Sequence, residues 1–259
     1  MNQEKRILVC EDSMEGIFSA VYDGWKECAG GCKVSIQTSF PVNMELFTSY
    51  REIVTDQSKA GKVMRTILMR LGSEVYEQIC LAAASADEDR GTAIYYVLHR
   101  AFGGGRCEKR VMEALADPYV SRVAKLALCV KREYHHYFGF VRFREISGRF
   151  LLAKIQPGND ILSLMALHFS NRFPNENWVI YDEKRQKALC HEKGKECVMR
   201  KEVRIQVPGS AVGDMGEYEE LWQTFCDSIS IEARRNEKLQ KQMLALHFRS
   251  NMPEFSVKG

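Results

Sequence analysis

The residues whose types and spacing could do chemistry lie mostly in the second half of the chain. Glu133-Tyr-His-His136 puts a carboxylate and imidazoles on one helical turn. His136 is there either a general base oriented by Glu133 or a cation capping the negative end of the helix. His168-Phe-Ser-Asn-Arg172 places a histidine and an arginine four apart on one helix face. That pair suits contact with a phosphate, and equally a solvated ridge. Asp182 follows the apolar stretch Trp178–Tyr181 and joins His136, Glu133 and His168 as the expected catalytic set of an enzyme acting on a nucleic-acid base or sugar. No Ser/His/Asp set, Gly-rich nucleotide fingerprint or paired-carboxylate signature accompanies them.

The cysteines argue against metal chemistry. There are nine, at irregular spacings. Cys28-x-x-x-Cys32 has the first two thiols of an iron–sulfur triplet, but Lys33-Val34-Ser35 follows where a third is needed. Cys190-His191 and Cys197 form one loose set flanked by Lys193 and Lys195, which repel a cation, where zinc wants two tight pairs. The expectation is reduced thiols, no metal and no cofactor. The polar start Met1–Arg6 is unlike a signal peptide, and no run of about 18 apolar residues exists. A cytoplasmic protein with no membrane partner is therefore expected.

The elements that must position these residues follow from periodicity. Arg6–Cys10 reads as a buried strand, and Asp12-Ser-Met-Glu15 has the spacing of a capping box, with Asp12 as N-cap. Ile17, Phe18, Val21, Tyr22 and Trp25 continue as a helix, and Lys33–Gln37 reads as a second strand. Residues 57–117 read as helical, with Gly103-Gly-Gly105 as a hinge or cap. A helix opens at Asp117-Pro118 and is expected to end at Gly139. Its Val123, Leu126 and Val130 side should face the core, and Arg122, Lys125 and Arg132 should face water. Phe140–Glu145 with Arg149–Ile155 reads as a hairpin, Asn159–Phe173 as a helix, and Trp178–Tyr181 with Gln186–His191 as another hairpin. Val203–Val207 adds a strand, and residues 217–246 read as a final helix. The fold class is α+β: an N-terminal β-α-β, a central helical segment, and a C-terminal helix-hairpin-helix-hairpin unit with a final helix. Residues 1–80 would form the N-terminal β-α-β and helices, and 81–255 a C-terminal α+β domain of unknown function, unless the whole is one continuous domain.

The net charge of +3 permits a polyanionic partner without demanding one. Its distribution is more informative. Residues 101–150 carry ten Lys/Arg against five Asp/Glu, whereas residues 206–227 carry five acids and no Lys or Arg. Clustered cations of this kind build phosphate-binding surfaces, and also ordinary solvated faces.

Three longer strings carry a resemblance. They are Glu133-x-x-His136-x-x-Gly139-Phe-x-Arg142-Phe-x-Glu145, then His168-Phe-x-x-Arg172-Phe-Pro174 with Trp178-x-Ile180-x-Asp182-Glu-x-Arg185, and finally Ile229-x-Ile231-x-x-Arg234-x-Asn236-x-x-Leu239-Gln240. Together they resemble a bacterial family assigned to DNA metabolism or repair and encoded beside a radical-SAM protein. The family's domain of unknown function is also found fused to uracil-DNA-glycosylase-like domains. The resemblance implies a DNA-related role and a radical-SAM protein encoded nearby as partner. The glycosylase domain is absent here, so uracil excision does not carry over. The resulting expectation is an accessory protein of DNA repair or modification that binds DNA, its radical-SAM partner, or both. Arg142, Arg144, Arg172, Arg185, Arg234 and Arg235 are the expected nucleic-acid contacts. Trp178 or Tyr181 is the candidate for base stacking. The rivals are the nucleic-acid enzyme described above and a non-catalytic scaffold for the radical-SAM protein.

Overall fold

Ile7, Leu8, Val9 and Cys10 offer no polar face, and such a run is stable only in a strand covered on both sides. The computed structural model, which describes residues 5–28, 33–41, 43–103, 109–146, 150–204, 238, 244, 246–249, 252 and 255, buries all four. They lie in β1 (Lys5–Cys10), the middle strand of a three-stranded parallel sheet. Its neighbours are β2 (Lys33–Gln37) and β3 (Thr48–Ile53), with Leu8 opposite Ile36 and Arg51. α1 (Met14–Cys28) joins β1 to β2 and buries Ile17, Phe18 and Val21. The cap differs from the expectation. The Ser13 hydroxyl accepts from Gly16 N at 3.0 Å, and Asp12 instead pairs with Arg90.

The central helical stretch is broken into pieces by its caps. α2 (Gln57–Leu71) starts at Asp56, whose carboxylate accepts from Ser58 N and Lys59 N at 2.8 and 3.2 Å. Gly72, at φ 96°, turns the chain into α3 (Ser73–Ala83). α4 (Arg90–Gly103) lies against β2. A Cβ at Gly91 would stand 2.7 Å from Ile36 Cγ2, so only glycine permits this approach. Next to it, the Thr92 hydroxyl accepts from Ile36 N at 2.9 Å and donates to Ile36 O at 3.0 Å. Residues 104–105 of the glycine run lie outside the described residues.

α5 (Pro118–Phe140) begins as its sequence demands: Asp117 Oδ1 accepts from Tyr119 N and Val120 N, and proline takes the first turn. Val123, Leu126 and Val130 are buried, whereas Arg122, Lys125 and Arg132 are exposed. Gly139 does not end the helix, which runs on to Phe140. The chain forms two compact units, Met1–Arg132 and Glu133–Gly259, and the division falls within α5.

In the second unit β4 (Arg144–Ile146), β5 (Phe150–Ile155), β6 (Trp178–Asp182), β7 (Lys187–His191) and β8 (Val198–Arg200) form one sheet in sequence order. The β5–β6 pair is parallel and the others antiparallel. α6 (Leu162–Arg172) makes the crossover that a parallel pair requires. Phe143, Phe169, Phe173 and Trp178 pack ring against ring with centroids 5.4–6.5 Å apart, and Trp178 stacks on His191 at 5.1 Å. The first hairpin strand is shorter than expected, because α5 takes Phe140. The strand expected at Val203–Val207 is not formed at Val203 or Arg204, and β8 lies upstream instead; residues 205–207 lie outside the described residues. So does nearly all of the expected final helix over residues 217–246, of which Lys238, Leu244 and Leu246 are described; the single turn α7 (Leu246–Arg249) starts at its last residue. The described residues are thus mixed α and β and form two sheets. Among the described residues no helix is long and apolar enough to cross a membrane.

Candidate nucleic-acid interface

Three of the expected site residues converge on one short loop. Asp182 is fully buried at the end of β6, where Oδ1 accepts from Lys184 N at 2.9 Å and Arg185 N at 3.1 Å. Burial pushes its pKa above the usual carboxylate range, opposed by hydrogen bonds and charge from Arg185. The Arg185 guanidinium bonds Asp182 Oδ2 at 3.2 Å, the Pro157 carbonyl at 3.0 Å and the Gly158 carbonyl. Glu133 holds the same loop from its N–H side. Its carboxylate accepts from Gly158 N at 2.7 Å, Asn159 N at 3.0 Å and Asn159 Nδ2 at 2.6 Å. Tyr137, one turn along α5, is buried beside them. Its phenol is pushed up by burial first and by the Glu133 charge second. Glu133 and Arg185 are therefore engaged with residues 157–159, and Asp182 holds Arg185 and the turn it stands in. In this arrangement the three side chains position the loop.

The histidines do not join them. His136 is exposed on α5 and meets the rings of Phe140 and Phe248 at 5.9 and 5.8 Å. His168 stacks on Phe138 at 3.9 Å with 10° between the planes, and its buried Nε2 has no hydrogen-bond partner. Burial, then the charges of Arg172 and His135, lower its pKa, so the neutral imidazole is favoured. Among the described residues no hydrogen bond or ring contact joins His136, His168 and Asp182. Of the expected catalytic set, Glu133 is engaged with residues 158–159, Asp182 with residues 184–185, and the two histidines with aromatic rings.

Cys190 and His191 are adjacent on β7 and so point to opposite faces of the sheet. His191 Nδ1 lies 2.9 Å from the Glu176 carbonyl and is committed there. Among the described residues no group of three metal-ligating side chains gathers. Burial pushes the Cys190 and Cys197 thiols up, away from the thiolate that binds metal.

The cations divide according to the sheet register. Arg144 is opposite Leu152, which is level with Val179, Cys190 and Val198 across the strands. Lys154 is level with Tyr181, Ala188 and Arg200. Partners in register share a face, so Arg144, Lys154 and Arg200 all stand on one side of the sheet. Half-buried Phe150 shares that side, two residues before Leu152. Trp178, which packs on Phe169 of α6, stands on the other side. Arg144 and Arg200 are exposed, and Lys154 reaches Glu183 at 3.5 Å. Arg142 does not share the strand with Arg144 as expected. It precedes β4 and donates to the Gly139 carbonyl at 2.7 Å, near the C-terminal end of α5. Arg172 is exposed at the end of α6, its guanidinium 5.6 Å from the Phe173 ring. Arg234 and Arg235 lie outside the described residues. Trp178 is fully buried and Tyr181 nearly so, with the Tyr181 hydroxyl donating to the Val203 carbonyl at 2.9 Å; neither is placed to stack a base.

Lys154 and Arg200 escaped the sequence reading. Lys154 had a visible signal, since alternation within Phe150–Ile155 sets it on the face of Phe150 and Leu152. Arg200 had none, because β8 is a three-residue strand with no apolar pattern.

No curated protein and no solved structure matches the chain. Residues 88–254, which run from just before α4 through the whole sheet of the second unit, match one family, and the match covers more than half of the chain. This protein belongs to the family described as a domain of unknown function, DUF4130.

Proposed function

We propose that the second unit is a nucleic-acid-binding accessory module, acting in DNA repair or modification beside a radical-SAM partner. The observation that carries the binding role is the sheet face bearing Arg144, Lys154 and Arg200. Arg144 and Arg200 stand on the two edge strands of a five-stranded sheet. Four inter-strand steps separate those edges, roughly 19 Å; Leu152, Tyr181 and Ala188 between them on this face are buried, so the exposed cations offered to phosphates stand at its two edges. Half-buried Phe150, on the strand beside Arg144 and paired with Ile146, stands on the same face as a ring for a base, the usual complement of cations on single-strand-binding surfaces. The DNA-metabolism context and the radical-SAM partner rest on the resemblance of the three sequence strings.

The test is a titration of labelled single- and double-stranded DNA over a range of salt. Each phosphate neutralised adds roughly 0.7–0.9 to the slope of log affinity against log salt, so three contacts give a slope of about −2 to −3. Arg144→Ala with Arg200→Ala lowers that slope by about one to two units while the far-UV spectrum stays unchanged. Absence of salt-dependent binding, alone and with the radical-SAM protein, would overturn the proposal in favour of the scaffold.

A further inference from the structure

The first unit holds a cavity of about 370 Å³ that plays no part in the nucleic-acid reading. Tyr22, Trp25 and Lys26 of α1, Lys62 of α2, and Leu98 and Phe102 of α4 line it. That volume is at the small end of those that take small organic ligands. The lining is aromatic and aliphatic, yet the charge around it is one-sided. The ammonium groups of Lys26, Lys59 and Lys62 lie 5.2, 5.9 and 5.8 Å from the Tyr22 ring. Lys59 is neutralised by Asp23, whose two oxygens are 3.0 and 2.8 Å from it. Lys26 and Lys62 have no carboxylate partner among the described residues.

Lys26 and Lys62 are both exposed and both approach the Tyr22 ring, so they offer an anion two ammonium groups near one side chain of the cavity. The apolar lining would take the body attached to that anion. The neutral polar groups of the lining residues are the Thr66 hydroxyl, which already donates to the Lys62 carbonyl at 2.7 Å, the Tyr22 phenol and the Trp25 indole N–H. The lining is otherwise aliphatic and aromatic, which suits an aryl or acyl body better than the hydrogen-bonding edge of a nucleobase. We infer that the first unit binds a small amphiphilic anion, an aryl or acyl group carrying a carboxylate, sulfonate or phosphate, with its charge at Lys26 and Lys62 and its body against Tyr22, Trp25 and Phe102.

A matched pair of dyes tests this on the full chain. Anilinonaphthalene sulfonate carries the anion, and phenylnaphthylamine has the same ring body without it. The expected result is saturable binding of the sulfonate at one site per chain. Lys26→Met with Lys62→Met weakens it about tenfold, two ion pairs' worth, and leaves the neutral dye unchanged. Thr66→Phe, an exposed position at the cavity, abolishes binding of both dyes while the thermal transition is kept. Octanoate displaces the sulfonate dye, and adenosine monophosphate does not. Equal loss of both dyes in the lysine variant, undiminished binding in Thr66→Phe, or preferential displacement by adenosine monophosphate would overturn the inference. So would the absence of any one-site binding to the native chain.

Discussion

The two units differ in the balance of their contacts, although buried Phe18 and Tyr95 give the first unit rings of its own. In the first, the parallel sheet is buried among aliphatic side chains, with Leu8, Ile17, Ile36, Ile79, Ile94 and Leu98 all sealed from water. In the second, Phe143, Phe169, Phe173 and Trp178 pack ring to ring, and Glu133, Asp182 and Arg185 fasten one loop. Aliphatic burial is non-directional and follows area. Ring packing and charged hydrogen bonds depend on geometry, so the second unit is the more specific and the less tolerant of small displacements.

The largest expected effects probe that contrast directly. Phe169→Ala should cost about 3–5 kcal/mol, and Ile94→Ala about 2–5 kcal/mol. The sharper comparison is a volume-conserving change. Ile94→Leu should cost less than about 1.5 kcal/mol. Phe169→Leu should cost more than that, because edge-to-face contacts with four rings are lost. Urea denaturation read by far-UV circular dichroism measures all four variants. Equal costs for the two leucine variants would erase the distinction.

A smaller effect is expected at the clamp. Glu133→Ala leaves three donors of Gly158 and Asn159 without their acceptor, at about 1–3 kcal/mol. Glu133→Gln keeps one acceptor oxygen and should recover part of the loss. In the DNA titration, Glu133→Gln leaves the salt slope unchanged, whereas the Arg144/Arg200 pair lowers it. A positioning residue and a contact residue are thereby separated by one measurement.

The smallest effect concerns His168. Its folded-state pKa lies below the ordinary value of 6.5, so as pH falls the unfolded chain takes the proton first. The contribution of His168 to stability is complete above pH 6.5 and is lost as pH falls from there through the lower folded-state value. His168→Gln removes this titration. Between pH 7.5 and 5.5 the wild-type chain should therefore lose more stability than the variant. Parallel stability curves for the two proteins would show that His168 does not contribute this dependence.

What could be read in the sequence was what is decided within a few residues. The apolar run at Ile7–Cys10, the faces of α5 and the two hairpins all declare themselves through spacings of two to four. β3 did not, because Thr48-Ser-Tyr-Arg-Glu-Ile53 has no alternation and its strand is largely half-buried or exposed. The capping box failed for a related reason. Asp12 has the right spacing, but Arg90 competes for it from 78 residues away, and Ser13 takes the cap. The parallel pairing of β5 with β6 is set by how α6 packs its rings, which no local pattern encodes. The spacing of Glu133 and His136 predicts a carboxylate that orients a base. Its partners lie 25 and 26 residues further on, and only the fold reveals that they are backbone amides.

The contact of Thr92 with Ile36 bears on how copies of this chain meet one another. β2 is an outer strand, and an outer strand offers its spare amides and carbonyls to any extended chain that arrives. At Ile36 both spare groups are occupied by one hydroxyl, and the glycine beside it lets the helix shield the strand. Thr92→Val would keep the shape and remove the plug. Such a variant should retain its secondary structure in dilute solution and form larger particles as concentration rises, visible by light scattering. The threonine would thus guard against intermolecular strand addition, and its removal would show only in concentrated solution.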